Sequence, residues 1–220
     1  MFGLAVIVLI VFSILLLSEA LSKAKLVDNE VSRKLVHMGT GCVVAFSPYF
    51  IEWRYIQLLC VMFLVVILLS LKYKIFKGIH SVKRVTKGEI LYALGIGACA
   101  FLEPAPWIFV AAILHLAIAD ALAAVVGVKW GKRTRYVLLS HGKTMLGSLT
   151  FFYTSMLIML GAYLTVDHQS LPAPFLLFVA IPAILTLLEN VSWYGLDNIT
   201  IPIMSIVLLS AFTGEQFLAI

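Results

Sequence analysis

Charged residues are scarce in this chain. They make up 12% of its 220 residues, against about 25% in an average soluble domain. Hydrophobic residues make up 62%, and the mean hydropathy is +1.07. So few charges cannot cover the surface of a soluble protein of this length, which excludes a soluble globular fold. The composition predicts an all-α, polytopic integral membrane protein.

Cysteine and nucleotide-binding motifs are also scarce. The three cysteines lie in apolar runs, without a CxxC pair or zinc-ligand spacing: Cys42, Cys60 and Cys99. We interpret them as small buried hydrophobic residues. The run Gly142-Lys143-Thr144 is not a P-loop, because Val137 occupies the place of the first glycine and no strand is expected before it. The apolar run at 2–22 lacks a basic segment before it, which favours a retained helix over a cleaved signal peptide.

Eight apolar runs predict eight membrane spans, with seven as the alternative: 2–22, 35–51, 53–71, 89–103, 107–126, 148–166, 173–190 and 200–219. We expect one transmembrane domain over residues 1–220. The longest polar segments, 72–88 and 127–147, are too short to form a core of their own. Any chemistry is therefore expected at the membrane boundary.

Positive charge is distributed unevenly between the predicted loops. With eight spans, fifteen of the sixteen lysines and arginines lie on one face, and Arg54 is the exception. The positive-inside rule makes that face cytoplasmic in a multi-pass cell-membrane protein and places both termini outside. The net charge of +5 is thus explained by topology, and we expect no nucleic-acid partner. The oligomeric state is left open.

Asp120 is the most informative residue because it lies inside an apolar span. It is about seven residues, or roughly 10 Å, from the cytoplasmic end. A carboxylate at that depth costs on the order of 2–3 kcal/mol and needs a partner. We predict a catalytic or metal-binding role, with a structural aspartate paired to a lysine at a helix end as the alternative. His115 lies on another face of a regular helix and is expected to be packed or hydrogen-bonded.

Segment 127–148 combines glycines with basic residues. Lys143, Thr144 and Ser148 are predicted at the start of the sixth span, where helix N-terminal amides attract phosphate. The expected phosphate ligands are Lys129, Gly131, Gly142, Lys143, Thr144, Gly147 and Ser148. The alternative is a basic membrane anchor with glycines in its loop.

Acidic and amide side chains follow the seventh span. Glu189, Asp197 and Asn198 are predicted to lie at one level of the membrane and, with Asp120, to offer oxygen ligands for nucleotide-bound Mg²⁺. The alternative is that Asp197 or Asn198 caps the eighth span.

Basic residues open the second span, and one further carboxylate opens the fourth. Arg33 and His37, four residues apart, share a helical face beside Lys34, unless they serve only as an interfacial anchor. Glu89 adds a carboxylate at the same level or stabilises a helix N-terminus. Cations for phosphate and carboxylates for Mg²⁺ at several cytoplasmic helix ends indicate phosphoryl transfer.

In sequence order, these motifs resemble the dolichol kinase/phytol kinase family of CTP-dependent lipid kinases. The resemblance covers residues 31–202 and consists of Arg33-Lys34-x-x-His37, Lys87-Gly88-Glu89, Asp120-Ala121 with Gly127 and Gly131, His141-Gly142-Lys143-Thr144 with Gly147-Ser148, and Glu189 with Gly195-Leu196-Asp197-Asn198. Ala119 departs from the pattern, because the family usually has glycine there. The part from Asp120 to Ser148 also resembles the CDP-diacylglycerol synthases.

The resemblance implies CTP as phosphate donor, Mg²⁺ as cofactor and a membrane isoprenoid alcohol as acceptor: phytol, geranylgeraniol, dolichol or another polyprenol. His141 and Lys143 would bind the triphosphate with help from Arg33 and Lys34. The implied metal ligands are Asp120, Glu189, Asp197 and Asn198, and Asp120 or His37 would accept the hydroxyl proton. Two alternatives stay open: a cytidylyltransferase that forms CDP-diacylglycerol or CDP-archaeol, and a proton- or ion-coupled transporter.

Overall fold

The computed structural model describes residues 2–26, 29–73, 88–138, 141–166 and 173–215. The described α-helices are α1 (Phe2–Lys23), α2 (Asn29–Ala45), α3 (Trp53–Tyr73), α4 (Gly88–Phe101), α5 (Pro106–Leu114), α6 (Asp120–Trp130), α7 (Met145–Thr165), α8 (Ile181–Val191) and α9 (Asp197–Thr213). Turns of 3₁₀ helix cover Ser47–Tyr49 and Gly131–Thr134, and π turns cover His115–Ala119 and Leu176–Ala180. Two strands, β1 (Arg135–Leu138) and β2 (His141–Thr144), precede α7.

The helices have the length and composition of a membrane protein. Four described stretches are long and apolar enough to cross a bilayer: Gly3–Lys23, Trp53–Ser70, Pro106–Thr134 and Met145–Thr165. Three shorter apolar helices are Gly88–Phe101, Leu176–Val191 and Asp197–Thr213. A helical stretch lies at each of the eight predicted spans. The number of bilayer crossings stays a prediction, because α2 and the shorter helices do not reach that length.

The long segment Pro106–Thr134 lies at the centre of the fold. Its first part, α5, is almost entirely buried, and Ile108, Phe109 and Ile113 are fully enclosed. α5 packs against α2, α7 and α9, and α6 packs along α7. The outer helices α1 and α3 instead expose apolar side chains, as expected for surfaces that face lipid. The central segment therefore carries Asp120 into the interior of the bundle.

A π turn interrupts this central segment immediately before Asp120. It covers His115–Ala119. The His115 ring is fully buried and makes hydrogen bonds with the Ala111 carbonyl at 2.6 Å and with the Ser155 hydroxyl at 2.7 Å. This confirms the prediction of a packed, hydrogen-bonded histidine. The π turn was not predicted, and such turns are frequent at functional sites because they redirect the side chains that follow.

A β-hairpin precedes α7 where the sequence analysis predicted a loop. β1 and β2 pair in antiparallel register, with Tyr136 opposite Lys143. The expectation of no strand before Gly142-Lys143-Thr144 was therefore wrong, as was the placement of Lys143 at a helix start, because α7 begins at Met145. The strands of four residues each contain aromatic and β-branched residues, but they are too short and too charged for a clear pattern.

Candidate active site

Asp120 forms an ion pair with Lys34 of α2. The Lys34 Nζ lies 3.4 Å from the Asp120 Oδ2, and both side chains are 12% exposed. Helix α2 approaches the central segment closely because residue 41 is glycine. A Cβ at Gly41 would overlap Ala117 and crowd the Tyr92 hydroxyl. The pair offsets the cost of burying the carboxylate, as the structural interpretation of Asp120 required. It also places a cation beside that carboxylate.

Lys143 reaches from β2 to the end of α8. Its Nζ donates hydrogen bonds to the Glu189 carboxylate and, at 2.7 Å, to the Glu189 carbonyl. The carbonyl belongs to the last turn of α8, where the helix dipole is negative. The side chains of Lys143 and Glu189 are 19% and 10% exposed. The ammonium group is thus held by one full and one partial negative charge.

Asp197 joins these two ion pairs into one cluster. It lies at the start of α9, ahead of the predicted span at 200–219, and interacts electrostatically with Asp120, Lys143 and Glu189. Burial, reinforced by the negative charge of Asp120, raises the pKa of Asp197 to about 6. The cluster has three carboxylates and two ammonium groups. Its excess of negative charge favours binding of a further cation.

The turn before α9 brings the start of α4 to this cluster. Gly195 has a φ of +86°, which favours glycine. A Cβ there would also lie 3.2 Å from the Cα of Gly88. Glu89 follows Gly88 in the first turn of α4, so this predicted carboxylate lies near the Asp197 turn. Lys87, the first residue of that motif, lies outside the described residues.

His37 packs against Tyr92, a residue that the sequence analysis missed. The two ring centroids are 3.7 Å apart, and the Tyr92 hydroxyl donates to the His37 carbonyl at 2.7 Å. Both side chains are buried. Tyr92 lies three residues after Glu89 and therefore on the same face of α4. This spacing is the feature of the sequence that could have indicated a place for Tyr92 near the site.

A polar network connects the hairpin to α7 and α8. The Tyr136 hydroxyl lies 2.7 Å from the Ser148 hydroxyl and donates to the Asn190 Oδ1 at 2.8 Å. Ser148 also donates to the Asn190 Oδ1 at 2.7 Å. Because Tyr136 is opposite Lys143 in the hairpin, this network holds the strand that carries the lysine. Tyr136 was not predicted from the sequence, and the predicted role of Ser148 as a phosphate ligand stays a prediction.

Three glycines of segment 127–148 surround the Thr144 side chain. A Cβ at Gly127, Gly131 or Gly147 would lie 2.7, 2.6 or 2.9 Å from the Thr144 Oγ1. That oxygen caps α7 by accepting a hydrogen bond from the Gly147 amide at 3.0 Å. These glycines therefore permit close packing of α6, the hairpin and α7. Gly142 differs, because it is exposed and no atom lies within 4 Å of its Cβ position, so there is room for a ligand on that side of the strand.

Comparison with known proteins supports an enzymatic site. The chain is 33% identical over 202 residues to a phytol kinase from Synechocystis sp., and the alignment covers 88% of this chain and 84% of the relative. The chain belongs to the phytol kinase family. It is a lipid kinase, which confirms the resemblance and the enzyme class inferred from the motifs. No family model and no solved structure matches it.

Three residues that were predicted to bind nucleotide have no described contact with the cluster. Lys129 is exposed, and its Nζ lies over the Trp130 ring at 4.9 Å from the centroid. The side chains of Arg33 and His141 are outside the described residues. Their predicted roles in nucleotide binding stay predictions.

In the ranges that the structure describes, no group of three His, Cys, Asp or Glu residues could hold a metal ion. These side chains of the kinase therefore do not form a complete metal site by themselves. The predicted ligands Asp120 and Glu189 each contact a lysine. The Asn198 Oδ1 is buried without a hydrogen-bond partner among the described residues. Mg²⁺ commonly uses one or two carboxylates together with substrate phosphates and water. The excess carboxylate and the unpaired amide oxygen fit an ion that arrives with the nucleotide.

Proposed function

We propose that this kinase transfers the γ-phosphate of CTP to the hydroxyl of a membrane isoprenoid alcohol and releases CDP. The acceptor would be phytol, geranylgeraniol, dolichol or another polyprenol. The observation that carries the proposal is the pair of largely buried ion bridges, Lys34–Asp120 and Lys143–Glu189, within electrostatic range of Asp197, in a chain related to a phytol kinase. Phosphoryl transfer depends on such an arrangement, because it is catalysed chiefly by positioning and charge.

The two lysines and Gly142 are the proposed triphosphate ligands. Lys143 would exchange its contact with Glu189 for a phosphate oxygen, and the open space at Gly142 would give the phosphate room beside it. Lys34, assisted by Arg33, would contact the phosphates from the α2 side. Thr144 and Ser148 would contribute from the start of α7.

Mg²⁺ would be held by oxygen ligands of the same cluster: Asp120, Glu189, Asp197 and Asn198. The ion would neutralise charge on the phosphates. Glu189 would become available as Lys143 turns to the nucleotide, so that cation and nucleotide bind together. Glu89, near the Asp197 turn, would add negative charge at the edge of the site.

Asp120 is the proposed general base. The lipid oxygen forms a bond to the γ-phosphorus while the bond from that phosphorus to the bridging oxygen breaks, and the hydroxyl proton passes to the Asp120 carboxylate. His37 is the other candidate. Its ring is covered by Tyr92, which favours Asp120.

The proposed site faces the cytoplasm, with both termini on the opposite side of the membrane. The distribution of lysine and arginine supports this orientation. It would give the site access to cytosolic nucleotide and to alcohols dissolved in the inner leaflet.

The proposal can be tested with purified protein, Mg²⁺ and labelled nucleotides. We expect label from γ-phosphate-labelled CTP, and much less from ATP, to enter phytol or geranylgeraniol but not diacylglycerol. Transfer of label from the α-phosphate would instead show a cytidylyltransferase. Equal transfer from ATP would refute CTP specificity. Absence of label from every lipid would refute the kinase proposal.

A further inference from the structure

An apolar cavity of about 200 Å³ lies between α1, α2, α3 and α4. Its lining includes Ile7 and Phe12 of α1, Leu59 and Met62 of α3, and Tyr92 of α4. The lining stretch of α3 runs from residue 56 to residue 66, a rise of roughly 15 Å at 1.5 Å per residue. The cavity is therefore elongated along the helices, a shape suited to a chain.

Polar groups along the cavity are used within the protein. The Thr40 hydroxyl donates to the Val36 carbonyl at 2.6 Å, and the Ser47 hydroxyl donates to the Val44 carbonyl at 2.6 Å. Each hydroxyl thereby uses its single proton within its own helix or turn, so neither can also donate to a ligand. The cavity is thus suited to a hydrocarbon.

The cavity opens outward between α1 and α3. Phe12 and Met62 line it and yet are 52% and 54% exposed. In a membrane, apolar side chains exposed there face lipid, so a lipid-soluble molecule can enter from the side.

The other end of the cavity meets the candidate active site. Tyr92 and Thr40 line the cavity. Tyr92 packs against His37 and lies within electrostatic range of Asp120. Tyr92 therefore belongs both to the wall of the apolar cavity and to the surroundings of the polar cluster.

We propose that this cavity binds the hydrocarbon chain of the alcohol substrate. The hydroxyl end lies at Tyr92, beside the cluster, and the chain leaves between α1 and α3. This inference rests on the proposed function, because it assigns the tail of the same substrate whose hydroxyl is phosphorylated. It makes the cavity a determinant of chain recognition, separate from the groups that bind nucleotide.

Two adjacent leucines of α3 provide a matched pair of variants. Leu59 lines the cavity, whereas Leu58 is exposed and does not line it. Leu59→Trp should raise KM for geranylgeraniol about tenfold or more, in line with the penalty for overfilling a packed space. KM for nucleotide and the rate with a five-carbon prenol should not change. Leu58→Trp should behave as wild type toward both alcohols. Equal KM values for geranylgeraniol in the two variants would overturn the proposal.

Photolabelling of the wild type tests the site without turnover. A geranylgeraniol analogue with a diazirine at the end of its chain should label α1 and α3 residues of the cavity, and excess geranylgeraniol should prevent it. Labelling on other helices would overturn the proposal, as would equal competition by diacylglycerol, which would identify a general acyl-chain site. Cavity labelling in a protein that phosphorylates no prenol would refute the proposed function while supporting the binding site.

Discussion

Lys143 provides the sharpest test of the proposed site, because the structure shows it bonded to Glu189 rather than to a ligand. The lysine either serves as the counter-ion of that glutamate or binds phosphate when nucleotide arrives. The variants Lys143→Met, Glu189→Gln and their combination separate these roles. Each is measured by its thermal unfolding in detergent and by its Kd for CTP with and without Mg²⁺, the value without Mg²⁺ being the one that reports on Lys143.

Removal of Lys143 alone leaves the Glu189 carboxylate poorly paired at 10% exposure. We expect the free energy of unfolding to fall by about 2–3 kcal/mol, below the value for a fully buried pair because solvent reaches the site. The double variant removes both charges and should recover about 1–2 kcal/mol of that loss. If the lysine also binds phosphate, Kd should rise about tenfold to a hundredfold in Lys143→Met, since a charge-assisted hydrogen bond contributes about 1.5–3 kcal/mol.

The two measurements should therefore diverge in the double variant, with stability restored and nucleotide affinity still low. Glu189→Gln alone should lower kcat and weaken the binding of Mg²⁺–CTP, because it removes a proposed metal ligand. Its Kd for CTP without Mg²⁺ should be no weaker than that of the wild type, because the lysine loses a competing partner. Lys72→Met is the matched control, because Lys72 is exposed at the end of α3 with its Nζ over the Tyr73 ring. A wild-type Kd in Lys143→Met, or recovery of affinity in the double variant, would show that Lys143 is only a counter-ion.

Three further predictions concern the base, the glycines and the topology. Asp120→Asn should reduce turnover by at least about a hundredfold without unfolding, because asparagine can still accept from its lysine partner; near-normal turnover would remove Asp120 from the mechanism. Gly131→Ala should lower the free energy of unfolding by about 1–3 kcal/mol, since its Cβ would lie 2.6 Å from the Thr144 Oγ1. Gly142→Ala should leave the unfolding midpoint unchanged, and equal midpoints in the two variants would contradict the packing argument. Thr134→Cys, in a variant without the natural cysteines, should react with an impermeant maleimide from the cytoplasmic side, whereas labelling of intact cells would invert the predicted topology.

The meeting of distant motifs could be predicted from the sequence because membrane spans impose a simple geometry. Alternate helix ends lie at the same surface, so ionisable residues near those ends share one level. Asp120, Lys143 and Asp197 were expected there, and the structure brings them within electrostatic range. Which cation would contact which carboxylate did not follow, because pairing depends on how helices rotate against one another.

The local backbone geometry around Asp120 and Lys143 could not be predicted, because neither a π turn nor a short hairpin leaves a distinct pattern of apolar and polar residues. A π turn adds one residue to a helical turn and leaves the composition apolar throughout, so the segment before Asp120 was read as regular helix. The hairpin has four residues in each strand, which is too few for periodicity to indicate. Tyr92 was missed because an aromatic residue in an apolar helix usually indicates only packing.

The glycines show how one motif can combine two physical roles. The run from Gly127 to Ser148 was interpreted as a phosphate-binding segment, yet three of its glycines adjoin the Thr144 side chain. Their absence of a Cβ lets α6 and α7 approach closely, and that approach fixes the strand on which Lys143 lies. Gly142 alone among the four has open space at its Cβ position. The proposed contact with phosphate therefore falls on Gly142 among these glycines, beside Lys143, and the other three glycines serve the packing that places the hairpin.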